Sequence, residues 1–382
     1  MNSFSYLFTL LVILLQSVIS HLSARRFNDF GNFKNTTYDP PAISHVNDKP
    51  TTTVSLYDFV NTNRIFDGCM RGMSFVKNKK SFLLGPVQYN IFEGIKVDID
   101  DFFIDKTPIT VKEYKKFLRV LNNYLEKKKN GELFPLTTED LINKYLKLDD
   151  NSIDPDFKKY FDRYIALREE LQKKLSEQYI EELHPDLSVF RNDDYSKKYF
   201  TEDKYEEYPI VGIYFNQAQE YCKWRTLYLN EYYLQEATRK NRCFIWFSLP
   251  TYPQYCYAAS GDNPLALYAF NTINLRDKND KLKANFNAGQ YDNNAIGLAK
   301  VKTYPPNSWD LYDMSGNVNE WLDDTEKNYL PTVDNNEQEV KMTTGGSWID
   351  CASDIEIGKY KKTHILETKN DLGFRCVATI TR

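Results

Sequence analysis

Hydrophobic and polar positions first form a regular pattern near Gly72. Two short apolar runs, residues 72–76 and 81–85, flank a polar turn that contains lysine and asparagine. Runs of this length around such a turn predict a β-hairpin. Residues 95–104 alternate in part between apolar and polar, which predicts a further strand.

A helix is predicted directly after these strands. Thr110 and Glu113 have the spacing of a capping box, in which each side chain bonds to the backbone N–H of the other residue. The residues that follow at helical spacing on one apolar face are Tyr114, Phe117, Leu118, Leu121 and Leu125. This face is therefore expected to pack inward.

A second strand and helix are predicted after residue 208. Residues 211–215 form the apolar strand, and Asn216 is expected to cap the helix, with Gln219 at its third position. Cys222 lies one turn beyond Ala218 and is expected on the buried side. Beyond residue 250, short apolar pieces separated by turn residues predict a loop-rich structure.

The segment 126–207 differs from its surroundings because it is dense in Lys, Asp and Glu. Helical stretches, such as residues 161–183, identify it as a charged helical insertion. Two interpretations remain open from the sequence. The segment is either a solvated spacer or a surface that binds a partner.

The N-terminus has the features of a targeting segment. Residues 1–20 contain no charged residue, and their apolar stretch is shorter than the roughly 20 residues that span a bilayer. A secretory signal peptide at 1–20 is the favoured interpretation, and an N-terminal anchor is the alternative. Residues 21–67 are polar and predict an extended arm.

Composition and charge exclude several classes. Lys and Arg number 49 against 53 Asp and Glu, a net charge of −4, so nucleic acid is not an expected partner. Apolar residues make up 42% of the chain and aromatic residues 15%, which is too high for a chain disordered throughout. The six cysteines form no CxxC pair, which argues against a zinc site or a thioredoxin motif.

Five ordered motifs together resemble one known family. Residues 208–224 read YPIVGIYFNQAQEYCKW, residues 304–307 read YPPN, and residues 311–321 read LYDMSGNVNEW. Residues 345–348 read GGSW and residues 373–376 read GFRC. These segments, with the run from Gly72 to Gly85, resemble the sulfatase-modifying-factor, or formylglycine-generating-enzyme-like, domain.

The resemblance implies the fold and the domain organisation. It implies an α+β domain with an elaborated C-type-lectin-like (formylglycine-generating-enzyme) fold that is poor in regular secondary structure. This domain is expected at 68–382, interrupted by the charged helical insertion at 126–207.

A narrower resemblance points to the gliding motility and type IX secretion protein K, or J, of Bacteroidetes. It rests on the residues around Trp224, on the spacing between the GGSW and GFRC motifs, and on the large helical insertion. It implies a non-catalytic structural component that forms a ring with a protein N-like partner. The expected location is periplasmic, with possible peripheral association with the outer membrane. The chain departs from this pattern because no cysteine precedes Cys69 to carry a lipid.

Catalytic members of the family bind copper through two cysteines five positions apart. The alignment places Asp350 and Ile355 at these positions, with Cys351 one residue from the first. Soft Cu(I) prefers paired thiolates, so neither copper nor formylglycine-type oxidation is expected. The alternatives that remain are a copper-dependent oxidase and an extracellular ligand-binding module on the same fold.

The resemblance also implies structural calcium and a disulfide. The first calcium site would use Asp313, Gly316, Val318 and Glu320. A second site would use Asn285, Phe286, Asn293 and Ala295, with Asn293 in place of an expected Asp. The implied disulfide joins Cys222 to Cys376, which leaves the pairing of Cys69, Cys243, Cys256 and Cys351 open.

Overall fold

The computed structural model describes residues 70–84, 95–146, 155–191, 196, 198–237, 243–261, 263, 266–289, 297–325, 328 and 339–381. The signal peptide expected at 1–20 and the polar arm expected at 21–67 lie outside the described residues. The implied calcium ligands Asn293 and Ala295 also lie outside them, as does Cys69, whose pairing the sequence leaves open.

The described part of the chain is a mixture of short strands and longer helices. The strands are β1 (Met73–Val76), β2 (Lys79–Leu83), β3 (Lys96–Ile99), β4 (Phe102–Asp105), β5 (Phe244–Ser248), β6 (Asn319–Trp321), β7 (Val340–Thr344), β8 (Tyr360–His364), β9 (Leu372–Gly373) and β10 (Val377–Thr381). The α-helices are α1 (Val111–Lys129), α2 (Thr138–Tyr145), α3 (Pro155–Lys174), α4 (Glu177–Glu181), α5 (Phe215–Glu236) and α6 (Tyr252–Ser260).

The described strands form two four-stranded sheets and one two-stranded sheet. The first sheet has the order β1-β4-β10-β5, and its strands are antiparallel. The second has the order β8-β7-β6-β9, in which β6 and β9 run parallel. The late strand β10 therefore lies inside the first sheet, between strands from the first and middle parts of the chain.

The predicted hairpin of residues 72–76 and 81–85 is wrong. Strand β1 pairs with β4, and β2 pairs with β3. The stretch 95–104 supplies both partners because it divides into two strands. Strand β1 is mostly buried and fits the core sheet, whereas β2 is mostly exposed. In the turn between β1 and β2, Asn78 donates from its backbone and its side chain to the Asp101 carboxylate. Asp101 lies in the turn between β3 and β4, so this contact joins the two turns.

Helix α1 begins as the sequence predicts. The Glu113 carboxylate accepts from the Thr110 backbone N–H at 2.8 Å, and the Thr110 hydroxyl accepts from the Glu113 N–H at 3.3 Å. The apolar face is buried, including Tyr114 and Phe117. These rings pack against Tyr221 of α5, so the predicted inward face is confirmed.

Helix α5 begins earlier than the sequence predicts. It starts at Phe215, so Asn216 lies in the first turn instead of capping it. The Gln217 side chain provides the cap, since its Oε1 accepts from the Tyr214 N–H at 2.9 Å. Cys222 is buried, as its spacing from Ala218 predicts.

The described residues of the 126–207 insertion pack into the main hydrophobic core. Phe157 and Tyr164 of α3 lie against Phe244 of β5, with ring centroids 5.4 and 5.3 Å apart. Since β5 is an edge strand of the first sheet, α3 covers that strand. Burial of large aromatic rings is a substantial source of stability. A solvated spacer does not describe this segment.

Across the described stretches of the chain, no helix is both long enough and apolar enough to cross a bilayer.

Candidate functional site

A buried ion pair lies beneath the turn that precedes β6. The side chains of Glu320 and Arg375 are fully buried, with Arg375 Nε 2.7 Å from Glu320 Oε2 and Nη2 2.8 Å from Oε1. The remaining guanidinium contacts go to the carbonyl oxygens of Asp105 and Tyr312. Burial raises the pKa of Glu320, and the Arg375 charge opposes that rise.

Asp313 and Gly316 shape the same turn. Asp313 is buried, and its Oδ2 accepts from the Lys302 backbone N–H at 3.1 Å. Burial raises the pKa of Asp313 to about 6. Gly316 has a φ of 86°, and a Cβ there would lie 2.4 Å from the Asn285 carbonyl oxygen. Only glycine fits this close approach.

The first implied calcium set is brought together in part. Asp313, Gly316, Val318 and Glu320 lie along one turn, but the Gly316 carbonyl already accepts from the Val318 N–H at 3.0 Å. Glu320 could bind calcium only through oxygens that Arg375 also contacts. No group of three or more His, Cys, Asp or Glu suited to a metal ion occurs among the described residues. This arrangement does not form a ready oxygen cage, and calcium binding here stays a prediction.

The second implied calcium set cannot be assembled from the described residues. Asn285 donates to the Gly297 carbonyl at 2.9 Å and to the Asn317 side chain at 3.0 Å. Phe286 is buried in a small hydrophobic cluster. Asn293 and Ala295 lie outside the described residues, so this site also stays a prediction.

Asp350 is the residue that the family resemblance assigned to the first of the two copper-binding cysteine positions. Its Oδ1 lies 2.5 Å from Lys361 Nζ. Its Oδ2 accepts from the Ser347 N–H at 2.9 Å and from the Asn319 amide at 3.0 Å. Burial acts to raise the pKa of Asp350, but these bonds and the Lys361 charge outweigh it and lower the pKa.

Ile355, which the resemblance assigned to the second position, is completely buried. It belongs to a small cluster with Tyr268, Phe270, Ala284 and Phe286. Cys351 is exposed, and its Sγ lies 2.9 Å from Asp354 Oδ2. A carboxylate bonded to lysine and a buried aliphatic side chain offer no thiolate pair, so these residues do not fit Cu(I).

The implied disulfide partners do lie together. Cys222 and Cys376 are both buried free thiols, with their Sγ atoms 3.5 Å apart. Burial raises the pKa of Cys376, and the neighbouring Cys222 adds to the rise. Cys243 and Cys256 are also buried, and burial raises the pKa of Cys256 to about 12. The disulfide stays a prediction.

In the protein isolated from an oxidising compartment, we expect one peptide pair linked through Cys222 and Cys376. Non-reducing peptide mapping after unfolding in an alkylating denaturant checks this. Reduction should lower the free energy of unfolding by about 2–5 kcal/mol, because the bond constrains the unfolded chain. The exposed Cys351 is the control, since it should react before unfolding. Alkylation of both buried thiols without a reductant would contradict the pairing.

Several site residues were not found by reading the sequence. Lys361 and Asn319 bond to Asp350. Asp371 accepts from the Ser347 hydroxyl, which also contacts Asp350. Asp371 stands two residues before the GFRC motif, which is the only local signal for it. Lys361 lies in a run of charged residues, and nothing in the local sequence distinguishes it from its neighbours.

The fold and the site define a mixed helix-and-sheet domain with a glycine-dependent turn over a buried Glu–Arg pair. A family model described as the sulfatase-modifying factor enzyme 1-like domain matches residues 81–380. The chain belongs to this family. The wider resemblance stated from the motifs is therefore confirmed.

Curated relatives match a shorter region. The inactive C-alpha-formylglycine-generating enzyme 2 of Mus musculus is 27% identical over 46% of this chain and 51% of its own length. The protein of the same name from Bos taurus is 26% identical over 45% of this chain and 50% of its own length. The chain spans about half the length of these curated relatives.

Among solved structures, Treponema denticola variable protein 1 covers 80% of this chain, and 94% of its own length is matched. The identity is 15% and the TM-score is 0.45.

Proposed function

We propose that this protein is a non-catalytic structural component of the type IX secretion and gliding motility machinery, a protein K-like or J-like member of its family. In this role it forms a periplasmic ring-like assembly with itself and with a protein N-like partner. Its association with the outer membrane is peripheral.

The observation that carries the non-catalytic part of the proposal is the chemistry at residues 350 and 355. Asp350 is bonded to Lys361, Ser347 and Asn319, and Ile355 is buried among aromatic side chains. Neither side chain carries a thiol, and both make contacts within the folded domain. The word "inactive" in the names of the mouse and bovine relatives agrees with this assignment.

The assembly part of the proposal is supported by the packing of the insertion. Helix α3 is fixed to β5 and α5 through aromatic rings and a buried ion pair, so its outer face is presented by a firmly packed element. That face carries exposed charged side chains, such as Lys158 and Asp162. Charged residues on a pre-organised surface favour specific association with a partner of complementary charge.

We also propose that the fold is the elaborated C-type-lectin-like type. Long connections between short strands, and a late strand placed inside the first sheet, support this assignment.

Purification of the full-length protein at its native level, with its neighbours retained by cross-linking, tests the assembly role. The expected result is a large complex that contains several copies of this chain and a protein N-like subunit. The double variant Lys158→Glu, Asp162→Lys exchanges the signs of these two exposed charges on α3. It should weaken the complex while the chain stays folded. A strictly monomeric protein without partners would overturn the proposal.

The same purified protein decides the catalytic alternative. Stoichiometric Cu(I) binding together with oxygen consumption on a cysteine-containing peptide would replace the structural role with oxidase activity. We expect neither, since two thiolates are needed for a linear Cu(I) site.

A further inference from the structure

The exposed side of α1 carries a stripe of basic side chains. Its members recur at spacings of three and four residues, so they lie along one side of the helix, away from the buried face that packs on α5. We call this stripe the α1 basic surface, and its exposed members are Lys112, Lys116, Arg119, Asn123 and Lys127. At a rise of about 1.5 Å per residue, the surface is about 22 Å long.

The stability of α1 does not account for this stripe. Lys112 and Lys116 are four positions apart, and Lys116 and Arg119 are three apart, and like charges at these spacings destabilise a helix. Lys112 also lies in the first turn, where the helix dipole favours anions, although the Glu207 carboxylate lies 3.5 Å from its ammonium group. The dipole favours a cation only near Lys127. Local rules of stability are commonly broken at functional sites.

Two cations of the α1 basic surface are left without a carboxylate. Arg119 and Lys127 are exposed, and neither forms an ion pair within the described part of the chain. Lys129 of the same helix differs, because its Nζ lies 2.9 Å from Glu126 Oε1. The positive charges of Arg119 and Lys127 therefore face solvent and are available to an anionic partner.

Two tyrosines of α5 border the same surface. Lys116 Nζ lies 4.7 Å from the centre of the Tyr228 ring. Tyr232 follows one turn later and is 55% exposed. Neither hydroxyl has a hydrogen-bond partner among the residues that the structure describes. Since a phenol hydroxyl can donate to a carboxylate, the border favours the same acidic partner as the lysines and the arginine do.

We propose that the α1 basic surface binds an acidic helix of a partner protein. A helix lying alongside α1 presents carboxylates with the same three- and four-residue periodicity, so they can pair with Lys116, Arg119 and Lys127. Complementary charges of this kind give an interface its specificity. The inference rests on the assembly role proposed above, and it adds a second surface, separate from the exposed face of α3, together with the chemistry of its partner.

An anionic lipid surface is the competing occupant, and the apolar side chains argue against it. A helix that lies on a bilayer inserts a broad apolar face, whereas the apolar face of α1 is buried in the core. Tyr232 is exposed beside α1, but it is a single ring. The other large exposed hydrophobic side chains of the described residues lie outside the helices, at Leu83, Ile273, Ile349 and Leu366.

Binding of a synthetic helical peptide to the full-length protein tests the proposal. The fluorescent peptide is rich in alanine and carries glutamate at the spacings of the α1 basic surface, and the control peptide carries glutamine instead. Fluorescence anisotropy at low salt should show binding of the glutamate peptide only. This binding should be lost as NaCl is raised to about 1 M, where the Debye length is about 3 Å.

Reversing the two unpaired charges identifies the surface. Arg119→Glu, Lys127→Glu should weaken binding of the glutamate peptide by at least about tenfold, because each change replaces an attraction with a repulsion. Arg119→Gln, Lys127→Gln should give a smaller loss, and it serves as the second variant if the first does not fold. Lys278→Glu, Lys281→Glu is the matched control, since it makes the same change of charge at exposed residues away from α1 and should bind as the wild type does.

Three outcomes would overturn the proposal. The first is equal binding of the glutamate and glutamine peptides, and the second is wild-type affinity in Arg119→Glu, Lys127→Glu. The third is sedimentation with vesicles of phosphatidylglycerol and phosphatidylcholine that this variant abolishes, without peptide binding, which would make a lipid surface the occupant.

The native complex separates this inference from the assembly role. A complex that Arg119→Glu, Lys127→Glu leaves intact would overturn the α1 surface and leave the assembly role standing. A protein that is monomeric in its native setting but binds the glutamate peptide would support the charge preference of α1 and overturn the assembly role.

Discussion

Replacing Arg375 with methionine should lower the free energy of unfolding by about 3–5 kcal/mol, because it leaves the Glu320 carboxylate buried without its cation. Both side chains are fully buried, and the guanidinium also bonds two backbone carbonyls. Urea denaturation at neutral pH measures the loss.

The pH dependence of Arg375→Met separates a stranded charge from simple loss of packing. Burial already raises the pKa of Glu320, and removing Arg375 raises it further. A group whose folded pKa exceeds its unfolded value loses stability as pH rises from about 4.3 upward. The deficit of the variant should therefore be smallest in acid and largest at neutral pH.

Two further variants act as controls for Arg375→Met. The double variant Glu320→Gln, Arg375→Met removes both charges and should recover part of the loss. Arg276→Met removes a surface contact of 3.7 Å to the Asp280 carboxylate and a hydrogen bond to the Asp280 carbonyl oxygen, and it should cost no more than about 1 kcal/mol. A pH-independent deficit with no recovery in the double variant would show that Arg375 acts mainly by packing.

Local signals in the sequence identified the elements that depend on near neighbours. The Thr110–Glu113 capping box forms as predicted, because both bonds lie within one turn of helix. The motifs at residues 311–321 and 373–376 come together through the Glu320–Arg375 pair. Family resemblance placed these segments in one domain, although it did not specify that contact.

Strand pairing was predicted less well because it depends on contacts between distant residues. The runs 72–76 and 81–85 have the pattern of a hairpin, but burial divides them between two sheets. Hydrophobic alternation predicts which face of a strand is buried, whereas the neighbouring strand with which it pairs depends on the packing of the whole core. For the same reason, the sequence did not show that α3 of the charged insertion covers β5.

The charged groups of the candidate site were the hardest to predict. Lys361 contacts Asp350 because β8 lies beside the 347–355 loop. Asp371 contacts Ser347 because it directly precedes the short strand β9. Each is an ordinary charged residue in its local sequence. Their roles follow from burial and from contacts that only the three-dimensional structure determines.

Replacing Glu231 with glutamine should lower the free energy of unfolding by about 3–5 kcal/mol, since it leaves the Arg168 guanidinium buried without its anion. Arg168 belongs to α3 of the insertion and Glu231 to α5, with Arg168 Nε 3.0 Å from Glu231 Oε1. Tyr164 donates to the same carboxylate oxygen at 2.5 Å. Burial raises the pKa of Glu231, and Arg168 opposes that rise. Denaturation, combined with hydrogen exchange of α3, measures the effect.

The helix that loses protection from hydrogen exchange shows which part of the chain the Arg168–Glu231 pair stabilises. If the Arg168–Glu231 pair fixes the insertion to the domain, exchange in Glu231→Gln should accelerate in α3 more than in α1. Lys158→Met is the matched control, because it removes an exposed ion pair with Asp162 from the same helix and should cost about 0–1 kcal/mol. The Arg168→Met, Glu231→Gln double variant should be more stable than Glu231→Gln alone. A loss no greater than that of Lys158→Met would mean that aromatic packing against Phe244 alone holds the insertion in place.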